Sequence, residues 1–283
     1  MSDWIFQCSY AERPDTSGLP AGYGIPLLLL AGVFAAYGTA VVQARQQGKA
    51  WRAGRTVSFG VGCLLCGAAL SPSFLAFAHH DLRGHAAQHA LLGMLGPLAL
   101  VQGAPVSLAL RVLPRSMARG LAQLLGSRCL HVAGHPFVAG LLSTGSLFLL
   151  YLTPLFVSIH DHPWAVHLLH AHLLLSGYLF AWSVAGPDPA PRRPGLIIRG
   201  TALFLFAAAH AFLGKFMYAH GYPKGLTADL GEIRAAAQIM YYSGDAAELI
   251  LLVCLFATWY RRKGAGSAEL GIGNWELVER LKG

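Results

Sequence analysis

With 283 residues, 55% of them hydrophobic and only 12% charged, and a mean hydropathy of +0.50, the chain is too apolar for a water-soluble domain of its size. Its formal net charge of +8 could serve a nucleic acid, but the basic residues are spread through short gaps between apolar runs, which speaks against one polyanion-binding patch and for orientation in a bilayer. The five cysteines, Cys8, Cys63, Cys66, Cys129 and Cys254, are scattered, four of them in or beside apolar runs, and do not read as a disulfide framework.

Met1 to Pro20 carries Asp3, Glu12 and Asp15 and lacks a basic start followed by an apolar core, so no cleavable signal peptide is expected and the first span is retained. Crossing the hydrocarbon takes about 20 predominantly apolar residues in a helix. Seven stretches qualify: Tyr23 to Val42, Thr56 to Ala78, His85 to Leu110, Pro136 to Ile159, Trp164 to Val184, Leu196 to Tyr218, and Ile233 to Tyr260. The expected fold is an all-α, polytopic membrane bundle of seven transmembrane helices over residues 1–263, followed by a tail at 264–283.

Lys and Arg in alternate gaps, with those near the span ends given to the adjoining gap, number 16 against 5. The positive-inside rule then puts the N-terminus outside and the C-terminus in the cytoplasm. Leu113 to Leu130 sets Arg115, Arg119 and Arg128 around Met117, Leu121, Leu124 and Leu125, the pattern of an amphipathic helix on the cytoplasmic surface. The Pro-rich gap Gly186 to Gly195 reads as a cytoplasmic turn, and the glycine-bearing tail before Trp275 to Leu281 as loosely ordered. No internal repeat or inverted symmetry is apparent, which disfavours a secondary transporter.

This orientation sorts the 13 histidines. His79, His80, His85 and His89, then His160, His162, His167, His170 and His172, then His210 and His220 all fall in the outer half; only His131 and His135 are cytoplasmic. Asp81, His85 and His89 fall at i, i+4 and i+8, so on a helix they form a stripe with Gln88 beside them. His167 and His170 share a face at i, i+3, while His172 lies more than a quarter-turn away. Neutral imidazole suits copper, zinc and iron, so histidine pairs on adjacent helices could make a metal site. Single interfacial histidines also cap helices or meet headgroups, and that reading stands beside the metal one.

His210, Gly214 and Met217 share a face, and a thioether beside imidazole favours soft Cu(I) over zinc; Met217 as plain packing is the alternative. Cys63 and Cys66 form a CxxC inside span two, where small-residue helix packing is the better account. Asp245 and Glu248 are acids at i, i+3 within span seven, Asp245 near its middle. Each must be protonated, paired or facing a polar cavity, with Tyr241, Tyr242, Gln238 or a histidine as partner.

Taken in order, HAAQHALLGMLGPLALVQGAP, the His135-Pro136 that opens span four, WAVHLLHAHLLLSGYLFAW and MYYSGDAAEL resemble the seven-span caa3-type cytochrome c oxidase assembly factor family, CtaG, over about Pro72 to Arg262. The resemblance implies a role in copper-centre maturation. It carries the family's HxxxH to His85 and His89 and its span-five histidines to His167 and His172, with His170 as an additional candidate. Where it implies an acidic-Gln pair before span seven and Met-Trp within it, this chain has Glu232-Ile233 and Met240-Tyr241, leaving Glu232 as the acidic equivalent.

The expectation is therefore a non-enzymatic assembly factor of the bacterial cytoplasmic membrane that holds or hands over copper, as Cu(I), at its outer face. His85, His89, His167, His170, His172, His210 and Met217 would supply the metal ligands, and Asp81, Asp245 and Glu248 an intramembrane polar site. Oxidase subunits or another copper chaperone would be partners, with the lipid bilayer and without nucleic acid. Two rivals are a di-haem b-type oxidoreductase, since axial histidines also hold haem, and a copper or proton-coupled transporter.

Overall fold

Prolines decide where the apolar runs break. In a computed structural model describing residues 24–264 except Asp161, Pro191, Arg192 and Thr227, every element is helical and no strand occurs among the described residues. The expected tail at 264–283, apart from Gly264, and everything before Gly24 lie outside them. Helix α1 (Gly24–Gln46) is unbroken. The second run, expected as one helix, is two: α2 (Ala53–Ala69) and α3 (Pro72–His80), bent by 54°. Pro72 has no N–H to give the preceding turn and pushes Ser71 into extended backbone (ψ 147°), so the helix must end and restart.

The third run begins as α4 (Leu82–His89), passes through a π-helical stretch (Ala90–Leu95), continues as α5 (Gly96–Gln102) and restarts as α6 (Pro105–Val112). Pro97 cannot donate to the Gly93 carbonyl, which explains a wider turn there. A Cβ on Gly177 would lie 1.9 Å from that carbonyl oxygen, so only glycine lets the neighbouring helix close onto it. Arg115–Leu125 (α7) and Arg128–Ala133 (α8) follow, with Ala118, Ala122 and Leu125 packed inward and Met117 and Leu124 exposed.

The fourth run divides into α9 (Pro136–Gly140), a second π stretch (Leu141–Gly145), α10 (Ser146–Leu152) and, beyond Thr153-Pro154, α11 (Leu155–His160). The long helices α12 (Pro163–Ala185), α13 (Leu196–His220) and α14 (Leu230–Gly264) complete the bundle.

Among the described residues, five helices are long and apolar enough to cross a membrane, or six if the bent pair α2–α3 counts as one span. The fourth expected span appears as Pro136–Leu152, apolar but shorter than the helices that are long enough to cross. Burial ranks the spans: 61% of the apolar stretch in Leu82–Val112 is buried against 11% in α1, so the histidine-bearing helix is the axis of the bundle and α1 its rim. Leu28, Leu64, Ile197 and Phe204 project outward from three different helices, as lipid-facing side chains do.

Candidate functional site

Six of the eight residues of α4 are buried, among them His85, Gln88 and His89. Asp81 does not join their stripe. It stands before the helix with φ −142°, accepts from Arg83 N at 2.8 Å and pairs with the Arg83 guanidinium at 2.5 Å. The Arg83 side chain holds its carboxyl below the usual carboxylate range. Glu232, at the start of α14, accepts from Leu82 N at 2.8 Å, so two carboxylates serve the N-terminus of α4, where N–H groups lack helical partners.

The other polar groups divide into those that mend irregular backbone and those that do not. Gln88 Nε2 donates to the Ala69 carbonyl at 2.8 Å, at the α2–α3 break, and its Oε1 accepts from His170 Nε2 at 3.1 Å. His172 Nε2 donates at 3.1 Å to the Leu142 carbonyl in the second π stretch. His170 and His172, expected to face a common metal with His85 and His89, thus serve Gln88 and the α9–α10 backbone. His167 is half-buried on α12. The His85 ring is wedged edge-on between Tyr151 and Phe156, at centroid distances of 6.0 and 5.0 Å. Met217 is buried in the apolar cluster with Leu82, Ala86, Leu213 and Met240.

His89 and His210 are different. Their rings face each other across α4 and α13 with centroids 5.9 Å apart and planes tilted by 32°. They are 4% and 1% exposed, and none of their four ring nitrogens makes a hydrogen bond among the described residues. Buried polar atoms are ordinarily paired, so four unpartnered nitrogens on two facing rings call for an explanation that apolar packing does not supply. Glu248 Oε1 stands 3.9 Å from His210 Nδ1, too far for a hydrogen bond but near enough to compensate a bound cation. The site depends on small residues. A Cβ on Gly244 would fall 2.2 Å from the His210 ring, and one on Gly93 3.1 Å from His89 Nδ1. Asp245, one turn from Glu248, is exposed on the flank of α14.

Among the described residues, no group of three or more His, Cys, Asp or Glu is close enough to hold a metal ion. The pair is a two-imidazole donor set beside one carboxylate. Cys63 and Cys66 are free thiols on α2, and the Cys66 sulfur fills the notch at Gly96, where a Cβ would lie 2.6 Å away.

The model of the cytochrome c oxidase caa3 assembly factor family (Caa3_CtaG) matches residues 35–262. The chain belongs to this family. Uncharacterized proteins of Mycobacterium bovis and Mycobacterium tuberculosis are 36% identical over 197 residues, covering 66% of the chain and 30% of each relative. One of Mycobacterium leprae is 30% identical over 248 residues, covering 80% of the chain and 37% of the relative. The chain thus spans about a third of the length of these relatives. No solved structure matches. Apolar helices and family together make this Caa3_CtaG member a multi-pass bacterial membrane protein.

Sequence reading lists His89 and His210 among the same candidate metal ligands but does not pair them with each other, and it leaves Glu248 without a named histidine. The overlooked signal was the glycine preceding Asp245, since a small residue beside an intramembrane acid marks where another helix brings a side chain close. Asp188 was also missed. Buried in the Pro-rich gap, it accepts from Ser107 N at 2.7 Å and Val106 N at 3.2 Å and so caps α6.

Proposed function

We propose that this Caa3_CtaG member is a non-catalytic assembly factor that carries Cu(I) as cargo between His89 and His210 and passes it to a terminal oxidase. The observation that carries the reading is the buried imidazole pair with four unpartnered nitrogens. Neutral imidazoles are good ligands for copper, and a donor set this small suits a cation that must later leave. Glu248 would balance its charge. Family membership supports the oxidase as client.

Pro136–Leu152 with α11 would form the remaining span of a seven-helix bundle, shortened by Pro154. The Lys and Arg distribution supports an outside N-terminus, which puts the pair about 10 Å below the outer end of α4 at 1.5 Å per residue. His85, His167 and Met217 would then serve as entry or transfer ligands above it, with His170 and His172 as further candidates at about its level.

The test is Cu(I) titration of the purified full-length protein against a competing chelator. His89→Ala and His210→Ala should each weaken affinity by at least about tenfold, a loss that even outer-shell changes at metal sites produce. Protein abundance should hold, and added copper should restore oxidase activity in cells by mass action. Full copper affinity in both variants would sink the proposal. A Soret band in the purified protein would favour the haem reading instead.

A further inference from the structure

Helices α13 and α14 carry opposite charges on the side they turn away from the bundle. Asp245 follows Gly244, whose missing side chain makes room for the His210 ring, so it lies at the depth of His210, about 15 Å from the end of α13 at 1.5 Å per residue. That depth is inside a hydrocarbon layer about 30 Å thick, yet Asp245 is exposed. Nearer the end of α13 the exposed Lys215 lines a cleft of about 200 Å³ between the two helices, with Tyr218, Gln238, Tyr241 and Tyr242. We propose that this face is the interface with a second copy of the chain, in which Lys215 of each copy pairs with Asp245 of the other.

Charged side chains facing lipid are costly, and in spanning segments they ordinarily turn toward a bundle interior. Glu248 obeys this rule and faces His210. Asp245 and Lys215 do not, and Gln238 and Tyr242 are exposed beside them. The ion pairs among the described residues are Arg83–Asp81 and His210–Glu248, so neither Lys215 nor Asp245 meets its counter-charge there. Lys215 Nζ stands instead 5.1 Å from the centroid of the Tyr241 ring.

The face holds both members of the missing pair. A two-fold axis along the membrane normal keeps every residue at its depth, so a surface with one acid and one base is complementary to itself. The levels also match. A Cβ on Gly214 would lie 3.1 Å from the Tyr241 Cβ, which sets Lys215 beside Tyr241 and about one helical turn, or about 5 Å, from the level of Asp245. The flexible four-carbon stem of lysine covers such a step. Past Asp245 the flank of α14 continues with exposed Leu249, Val253 and Phe256, which supply the apolar packing that spanning helices need beside their few polar contacts. A different membrane protein would have to bring both a base for Asp245 and an acid for Lys215. The interface lies outside the His89–His210 pair and holds whether or not that pair carries copper.

The test is charge exchange between full-length chains carrying two different affinity tags, co-expressed and purified in neutral detergent. Wild-type protein should appear in native mass spectrometry at twice the 30.2 kDa of one chain, and each tag should retain the other. Asp245→Lys alone sets base against base and Lys215→Asp alone sets acid against acid, so each should weaken dimerisation at least about tenfold, the worth of two interhelical polar contacts. Co-expressed, the two variants should form a mixed dimer, because every base then faces an acid. A monomeric wild type would overturn the proposal, as would single variants that stay dimeric or a tag that retains another membrane protein in place of the second copy. So would dimers of the double variant without mixed dimers of the single ones, the result expected of a pair within one chain. If the reversed charges prevent accumulation, Asp245→Asn and Lys215→Gln keep polarity and lose charge; each should weaken the dimer, and undiminished dimerisation in both would equally overturn it.

Discussion

An alanine at position 244 would place a methyl carbon 2.2 Å from Cε1 of His210, in a helix whose other residues hold it fast. The ring cannot keep its place, so Gly244→Ala should move His210 away from His89 and Glu248. Overpacking of this kind costs roughly 1–3 kcal/mol. The expected outcome is a lower Tm and copper affinity reduced toward that of His210→Ala. Gly32→Ala in α1, where nothing lies within 4 Å of the added carbon, should leave both unchanged. If Gly244→Ala kept wild-type copper affinity, the pair would not be the site. That Gly244, Asp245 and Glu248 share one stretch was readable in the chain; that His210 fills the notch was not, because the notch belongs to one helix and the ring to another.

Irregular elements in this protein place polar side chains where regular ones would not. The break at Pro72 leaves the Ala69 carbonyl for Gln88, and the π stretch at Leu141–Gly145 presents the Leu142 carbonyl to His172. The restart at Pro105 leaves the first N–H groups of α6 for Asp188. Asp188→Ala should remove that cap and destabilise the protein by about 1–2 kcal/mol. Burial raises the Asp188 pKa above the ordinary carboxylate value, while its backbone hydrogen bonds act the other way. With a raised folded-state pKa, its contribution to stability falls as pH rises from the ordinary carboxylate range through the raised value. Thermal melts across this range should show that component in the wild type and lack it in Asp188→Ala. A variant with unchanged Tm and unchanged pH dependence would leave α6 uncapped by Asp188.

For the whole molecule, the proposed seven-span path requires the gap at Gly186 to Gly195 and the loop at Tyr222 to Gly225 to lie on opposite sides of the membrane. Reporter fusions should give a cytoplasmic signal from the first and an external one from the second. The reverse pattern would turn the bundle over and put the histidine pair nearer the cytoplasm. The same signal from both would remove α13 as a span.

Composition alone made this a helical membrane protein, because a run of about 20 apolar residues has no other stable state in lipid and every backbone group must be satisfied within the helix. The order of the runs, their proline-marked starts and the crowding of histidines toward one end follow from spacing along one chain. Which helix faces meet does not. His89 and His170 each share a face with a second histidine in the sequence, yet His89 meets His210 and His170 meets Gln88. That choice was made by close approaches at Gly93, Gly177 and Gly244 and by turns widened or broken at Pro97 and Pro72, which set how far each helix rotates and how near it comes. Periodicity defines a face; only packing between helices selects its partner.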